Sequence, residues 1–271
     1  MRPLIAANYS FELLGLLARE PEIVSGVKAT EFGPERYHED YRQLRRLGKT
    51  LLLHGLGQAV NPGVPEYWTR FSPETLCKAL AITETPYLSV HLEWRTPEPC
   101  DRGPDEFLAS LVPQIADLGG LTGLSVHLEN VFSYRDGSGP YRNPPFIGDP
   151  GFIAEALDRT GGLFLLDLGH ARLAAWHRGE NAERYVRSLP LEHVVEIHIS
   201  GPAMVNGEMR DRHEAPTDAD YRLLEIALER AKPQVLTLEY GGVGPLFADR
   251  TDGTALAEQL DRLSEVASSL K

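Results

Sequence analysis

The chain has 271 residues and a net charge of −12. That length suits one α/β barrel, for which about 250 residues is typical, and it is long enough to bury a substantial core. The acidic balance disfavours a nucleic-acid or membrane surface, since such partners want clustered Lys and Arg, although bound cations would reverse the sign locally. The two cysteines, Cys77 and Cys100, form neither a disulfide framework nor a thiolate metal motif. The first residues are apolar for only a few positions and lead into a strand pattern rather than a signal peptide. No apolar run approaches the roughly 20 residues that span a bilayer, so a cytoplasmic protein is expected.

In chain order, a strand is expected at Leu4–Asn8, then a helix at Phe11–Arg19. A strand at Gly26–Glu31 precedes a helix at Pro34–Leu47, and a strand at Thr50–His54 precedes a helix at Pro73–Thr83. Ser72 and Pro73 are an N-cap and first-turn pair for that helix. The strands Tyr87–His91 and Leu124–Glu129 are followed by the helices Pro104–Leu118 and Gly151–Thr160. Strands Leu163–Asp167, Val194–His198 and Val235–Glu239 alternate with helices Ala182–Leu189, Asp218–Ala231 and Thr254–Leu270. Strand then helix, eight times, predicts a closed parallel (β/α)8 TIM barrel made of one domain over 1–271. The longest irregular pieces, Val131–Pro150 and Leu56–Phe71, follow strands and should lie over the barrel mouth.

Metal-binding residue types collect at the strand ends. Strands three to six end in His54, His91, Glu129 and Asp167, with His170 just beyond the last. Strand seven ends in His198, its loop carries Asp211 and His213, and strand eight ends in Glu239. The C-terminal strand ends of such a barrel converge on one mouth, where active sites lie. Nine donors are too many for one ion and enough for two or three sharing bridging carboxylates. Without cations, so many close carboxylates could not all stay ionised. Imidazole and carboxylate accept zinc, iron and manganese alike. His127 and Glu196 precede Glu129 and His198 by two residues, share their inward face, and should form a deeper layer of hydrogen-bond partners. His38 and His177 read as solvated, and His193 lies at the opposite end of the barrel.

The segments Ser-Val-His-Leu-Glu (89–93), His-Leu-Glu-Asn (127–130), Asp-Leu-Gly-His (167–170), Glu-Ile-His-Ile-Ser-Gly (196–201), Asp-Arg-His (211–213) and Leu-Glu-Tyr (238–240) carry a resemblance. They resemble the multinuclear non-haem iron-dependent oxidases, xylose-isomerase-like barrels that modify ribosomally made peptides, often at Cys. The usual opening Gly-Leu-Arg is replaced here by Ile-Ala-Ala-Asn. The resemblance implies two or three iron ions (Fe2+/Fe3+), O2 as co-substrate, a Cys-containing peptide as substrate and a companion peptide-recognition protein. It makes Glu129, Asn130 and His170 the catalytic candidates, and Tyr134, Arg135, Tyr141 and Arg142 candidates for peptide contact.

The ligand order also resembles endonuclease IV, a trinuclear zinc phosphodiesterase. By that pattern one ion takes His54, His91 and Glu129. A second takes Glu129, Asp167, His198 and Glu239, and a third takes His170, Asp211 and His213. A third resemblance, to the sugar isomerases and epimerases, implies one ion on the quartet Glu129, Asp167, His198 and Glu239. The mouth loops lack the basic runs that a nucleic-acid enzyme needs. An epimerase would leave five of the nine donors idle, and a non-catalytic scaffold would have no need of an intact ligand set.

Overall fold

A computed structural model describes residues 2–30, 37–54, 73–94, 100–134, 143–241 and 251–270. Eight parallel strands form the barrel wall: β1 (Leu4–Asn8), β2 (Gly26–Thr30), β3 (Thr50–His54), β4 (Leu88–His91), β5 (Val126–Glu129), β6 (Leu163–Asp167), β7 (Val194–Ile199) and β10 (Val235–Leu238). Their order around the wall is β3-β2-β1-β10-β7-β6-β5-β4. The barrel is nearly closed. Among the described residues no ladder joins β3 to β4, and the Leu53 amide instead donates to Thr85 Oγ1 at 3.1 Å.

The helices are α1 (Phe11–Leu17), α2 (His38–Arg46), α3 (Pro73–Thr83), α4 (Pro104–Thr122), α5 (Pro150–Thr160), α6 (Leu168–Arg178), α7 (Ala182–Ser188), α8 (Asp218–Leu228) and α9 (Gly253–Ser269). Side-chain caps fix several starts: Ser10 Oγ accepts from Leu13 N, Asp149 from Gly151 N, and Asp252 from Ala255 N. Two elements depart from the expected alternation. Helix α6 follows β6 without a loop, and an antiparallel hairpin of β8 (Gly201–Val205) and β9 (Glu208–Glu214) follows β7. The Leu56–Phe71 loop lies outside the described residues.

Side-chain alternation divides the core in two. Outward residues such as Ile5, Ala7, Val27, Leu51, Leu53, Val90, Leu128, Leu166 and Ile197 pack under the helices. Inside the barrel, Leu4, Ala6, Leu52, Tyr87 and Val235 form a small apolar plug. Above it lies a polar floor. Lys28 and Glu196, both fully buried, pair at 2.9 Å, and Tyr87 and Thr237 donate to the same carboxylate at 2.6 and 2.9 Å. The ion pair is sealed from water, so removing one partner strands the other's charge. We predict that Lys28→Met destabilises the protein by about 3–5 kcal/mol, and that adding Glu196→Gln recovers part of the loss. Urea unfolding of both variants measures this, and a single variant as stable as the parent would contradict it.

Candidate metal centre

Glu129, at the end of β5, is the centre of the mouth. It is fully buried, yet neither carboxylate oxygen has a hydrogen-bond partner. Four imidazoles surround it. His91 Nε2 and His170 Nδ1 lie 3.3 and 3.4 Å from its Oε1, His198 Nδ1 lies 4.0 Å from Oε1, and His54 Nδ1 lies 3.7 Å from Oε2. Register places these groups together, since Glu129 pairs with His91 across β4–β5 and Asp167 pairs with His198 across β6–β7.

His198 is oriented from below. Its Nε2–H donates to Glu196 Oε1 at 3.0 Å. Its Nδ1, which has no hydrogen-bond partner, faces Glu239 Oε1 at 3.4 Å and Asp167 Oδ2 at 3.8 Å. Such carboxylate–imidazole pairs fix the tautomer and ring angle of metal-ligating histidines. His54 Nδ1 is 3.1 Å from Ser89 Oγ, and its Nε2 is 3.4 Å from Glu239 Oε1.

The Asp-Leu-Gly-His segment is a strand-to-helix turn. Asp167 ends β6 and caps α6, its Oδ1 accepting from His170 N at 2.6 Å, while Oδ2 has no hydrogen-bond partner. A Cβ on Gly169 would lie 2.4 Å from Ser200 Oγ, so this close approach of α6 to β7 requires glycine. His170 sits in the first turn of α6, where its Nδ1–H donates to the Asn130 carbonyl at 2.9 Å and its Nε2 faces Asp211 Oδ2 at 3.5 Å. The Asn130 side chain is committed to backbone. Its carboxamide pairs with the Asp167 backbone in both directions, at 2.9 and 2.8 Å, and ties the end of β5 to the end of β6.

The hairpin delivers the remaining two candidates. Asp211 Oδ1 lies 3.3 Å from His213 Nε2, so Asp211 stands between His170 and His213, and His213 Nδ1 is 3.9 Å from Glu239 Oε2. Gly201 starts the hairpin where a Cβ would lie 2.7 Å from the Ala215 carbonyl oxygen. All nine strand-end and loop donors therefore meet in one mouth. The donor atoms of His54, His91 and Glu129 converge within 4.8 Å, as do those of His54, His198 and Glu239, and those of Glu129, Asp167 and His198.

The site's charges are in tension. At Glu129 burial opposes ionisation, but His91 and His54 outweigh it and hold the carboxyl below the usual carboxylate range. At Asp167 burial, helped by Glu239 and Glu129, pushes the carboxyl up to about 6. Burial and Lys28 press His54 down to about 3. The same two influences oppose the imidazolium of His198, yet Glu239 and Glu196 overcome them and raise it to about 9. Burial also opposes the imidazolium of His213, but Asp211 and Glu239 raise it to about 10. Protons thus do part of the work of cations. The donor set fits metal ions, because Glu129, Asp167 Oδ2, His198 Nδ1 and His213 Nδ1 are buried polar atoms with no hydrogen-bond partner among the described residues.

Other sequence readings change. His177 is buried rather than solvated, two turns along α6 from His170. Its ring stacks on Phe132 at 5.9 Å and meets Tyr134 edge-on at 5.0 Å. His38 is half-buried beside Arg42. Among the described residues His127 stacks on Tyr87 at 4.0 Å and its Nδ1 makes no hydrogen bond, whereas Glu196 does support a candidate ligand. Tyr134 is half-buried beneath the Arg210 guanidinium at 4.6 Å. Arg135, Tyr141 and Arg142 lie outside the described residues. Lys28 and Ser89 were missed as supporting groups. The available signal was a lysine and a serine on inward positions of otherwise apolar strands.

This architecture and mouth define a xylose-isomerase-like TIM barrel with a candidate metal-binding ring. The solved structures similar to it include a xylose isomerase domain protein from Alicyclobacillus acidocaldarius (TM-score 0.61, 21% identity, 98% of each chain). Endonuclease IV from Thermus thermophilus is also similar (TM-score 0.57, 18% identity, 97% of this chain and 100% of that one). At those identities the likeness concerns the fold. Residues 27–262 match the sequence model of the RiPP precursor modification enzymes MbnB/TglH/ChrH, and the chain belongs to that family. It is 28% identical to a UPF0276 protein of Bordetella bronchiseptica over 191 residues, 65% of this chain and 62% of that one. The chain thus spans less than two thirds of that relative's length. It is also 28% identical to a UPF0276 protein of Caulobacter sp. strain K31 over 253 residues, 85% of this chain and 86% of that one.

Metal ligation needs neutral imidazoles, and His198 and His213 hold protons near neutral pH. Loading therefore releases a proton from each, and apparent affinity climbs with pH through about 9, where His198 deprotonates, and levels off only near 10, where His213 does. Titration calorimetry in two buffers of different ionisation enthalpy reads the release. Proton-neutral loading would refute this charge state.

Proposed function

We propose that the chain oxidises a ribosomally made precursor peptide, at a Cys-containing stretch, with a multinuclear iron cluster at the barrel mouth and O2 as oxidant. The observation that carries this reading is the convergence of buried donors without protein partners around Glu129. Family membership supports the peptide as substrate.

In this reading His54, His91 and Glu129 hold one ion, and Glu129, Asp167, His198 and Glu239 hold a second. His170, Asp211 and His213 hold a third. The adjacency of Asp211 to both histidines supports the last position. Iron bound there would supply the redox capacity for O2 chemistry. The chain's own part is orientation and exclusion of water. Glu196 sets the free nitrogen of His198, the Asn130 carbonyl sets that of His170, and Phe132 walls the His170 side at 5.6 Å between rings. Glu129 and His170 are the catalytic candidates by position. Tyr134 offers a half-buried aromatic edge to the peptide, with Arg135, Tyr141 and Arg142 as further contacts, and a companion protein presents the peptide. A one-ion epimerase would leave His54 and His91 idle although both crowd Glu129.

Protein purified without added metal is expected to contain iron by elemental analysis and Mössbauer spectroscopy. Zinc alone at full occupancy, with no activity gained on iron loading, would sink the oxidase reading. His170→Ala and His213→Ala should each lower O2 consumption with a Cys-containing peptide by at least about tenfold, the low end of what losing even an outer partner of a metal ligand costs. Full activity in both variants would refute the three-position layout.

A further inference from the structure

Asn8 is a polar group at the mouth that the donor cluster does not use. Ile5, Ala7 and Tyr9 belong to the layer under the helices, whereas Leu4 and Ala6 pack inside the barrel. Alternation therefore turns Asn8 inward. Its register partner Lys28 likewise reaches inward, to Glu196. On the other side Ala7 pairs with Leu238, so Asn8 and Glu239 are the next residues of adjacent strands at the rim. Asn8 is 3% exposed, and among the described residues neither Oδ1 nor Nδ2 has a hydrogen-bond partner.

A buried carboxamide with both ends unpaired is a standing cost to stability. Its position suggests what offsets that cost. The candidate ligands come from β3, β4, β5, β6, β7, β9, β10 and the start of α6, while β1 supplies none. On neighbouring β2 the inward Lys28 is committed to Glu196. Register and alternation thus place Asn8 at the rim beside Glu239, on the β1 side of the mouth, which contributes no candidate donor. A cation would use only its oxygen and an anion only its NH2. A carboxamide presents a donor and an acceptor side by side, the complement of a backbone peptide group.

We propose that Asn8 is a substrate-docking residue whose carboxamide pairs with a backbone amide of the peptide next to the side chain held at the cluster. This rests on the peptide-oxidising reading above. The pair fixes the peptide across the β1 side of the mouth, so the reacting residue meets the cluster in one orientation.

Asn8→Leu keeps nearly the same volume and removes both polar atoms. The test uses the full chain, iron-loaded, and two thiol probes. N-acetylcysteine amide carries a peptide group on each side of its Cα, and 2-mercaptoethanol carries none. Binding is followed by the thiolate-to-metal absorption band. The parent should bind the peptide-bearing thiol about tenfold more tightly, the worth of two modest hydrogen bonds. Asn8→Leu should bind the two alike, with 2-mercaptoethanol affinity and iron content unchanged. Equal binding of both thiols by the parent, or full discrimination kept by the variant, overturns the proposal. The thermal midpoint of the metal-free variant should rise, because an unpaired polar group has gone, and a fall would make the amide structural and also overturn it. If neither thiol gives a band in the parent, the proposal that a Cys side chain is held at the cluster fails, and the midpoint alone decides for or against Asn8.

Discussion

A carboxylate buried without a hydrogen bond is among the costliest things a protein interior can hold, and Glu129 is one, with His54, His91, His170 and His198 all within 4.0 Å of its oxygens. The rest of the mouth follows from that constraint. Glu129 has to be matched by positive charge, and the imidazoles match it by taking up protons where their surroundings allow. The carboxyls of Asp167 and Glu239 share the same histidines, so no arrangement of protons satisfies every group together. His198 is driven up to about 9 while His54 is driven down to about 3, although their rings are only 5.1 Å apart. Multivalent cations would ease such a division, because they satisfy several carboxylates at once and release the histidines to be neutral ligands.

The polar floor extends this logic into the barrel. A barrel interior is normally filled by bulky apolar layers, and here Lys28, Glu196, Tyr87 and Thr237 take that space with one shared carboxylate. Glu196 answers to Lys28 below and to His198 above. The imidazole at the mouth is therefore braced by a charge pair that is itself sealed by the apolar plug. Rigid strands carry most of the donors, and buried partners lock their rings, which is what holding ligands to a fraction of an ångström demands.

The sequence made the eight strands and their shared mouth legible because two periods are written in it. Strand alternation marks inward positions, and the candidate donors His54, His91, Glu129 and Asp167 sit at the C-terminal ends of their strands. Helix α6 was hidden because its first turn, Leu-Gly-His, reads as a loop. Only the cap from Asp167 to His170 N reveals that the strand passes directly into a helix. Burial of His177 follows from that helix, since it lies two turns along from His170. The hairpin was hidden for a different reason. The run Glu-Met-Arg-Asp-Arg-His-Glu is almost wholly polar, and its strand conformation comes from pairing with β8 rather than from an apolar face. The role of Asn130 was likewise unreadable, because its partner is the backbone of a residue 37 positions away.

The hairpin also explains why the donors are not equivalent. His54, His91, Glu129, Asp167 and His198 lie on barrel strands, and each is held by ladders on the wall. Asp211 and His213 lie on β9, whose one ladder among the described residues is with β8, and their side chains are about a quarter exposed, at 27% and 24%. His213 also has a positive φ of 50°, a conformation that costs a non-glycine residue energy, and it falls where the β8–β9 register shifts between Gly201 and Ala203. Glu129 and Asp167 are held by the ladders of the wall, whereas His213 is tied to it by the Gly241 amide, which donates to the His213 carbonyl at 2.8 Å. The barrel strands therefore supply the floor and most of the donor ring, and the hairpin adds the Asp211–His213 pair from outside that wall.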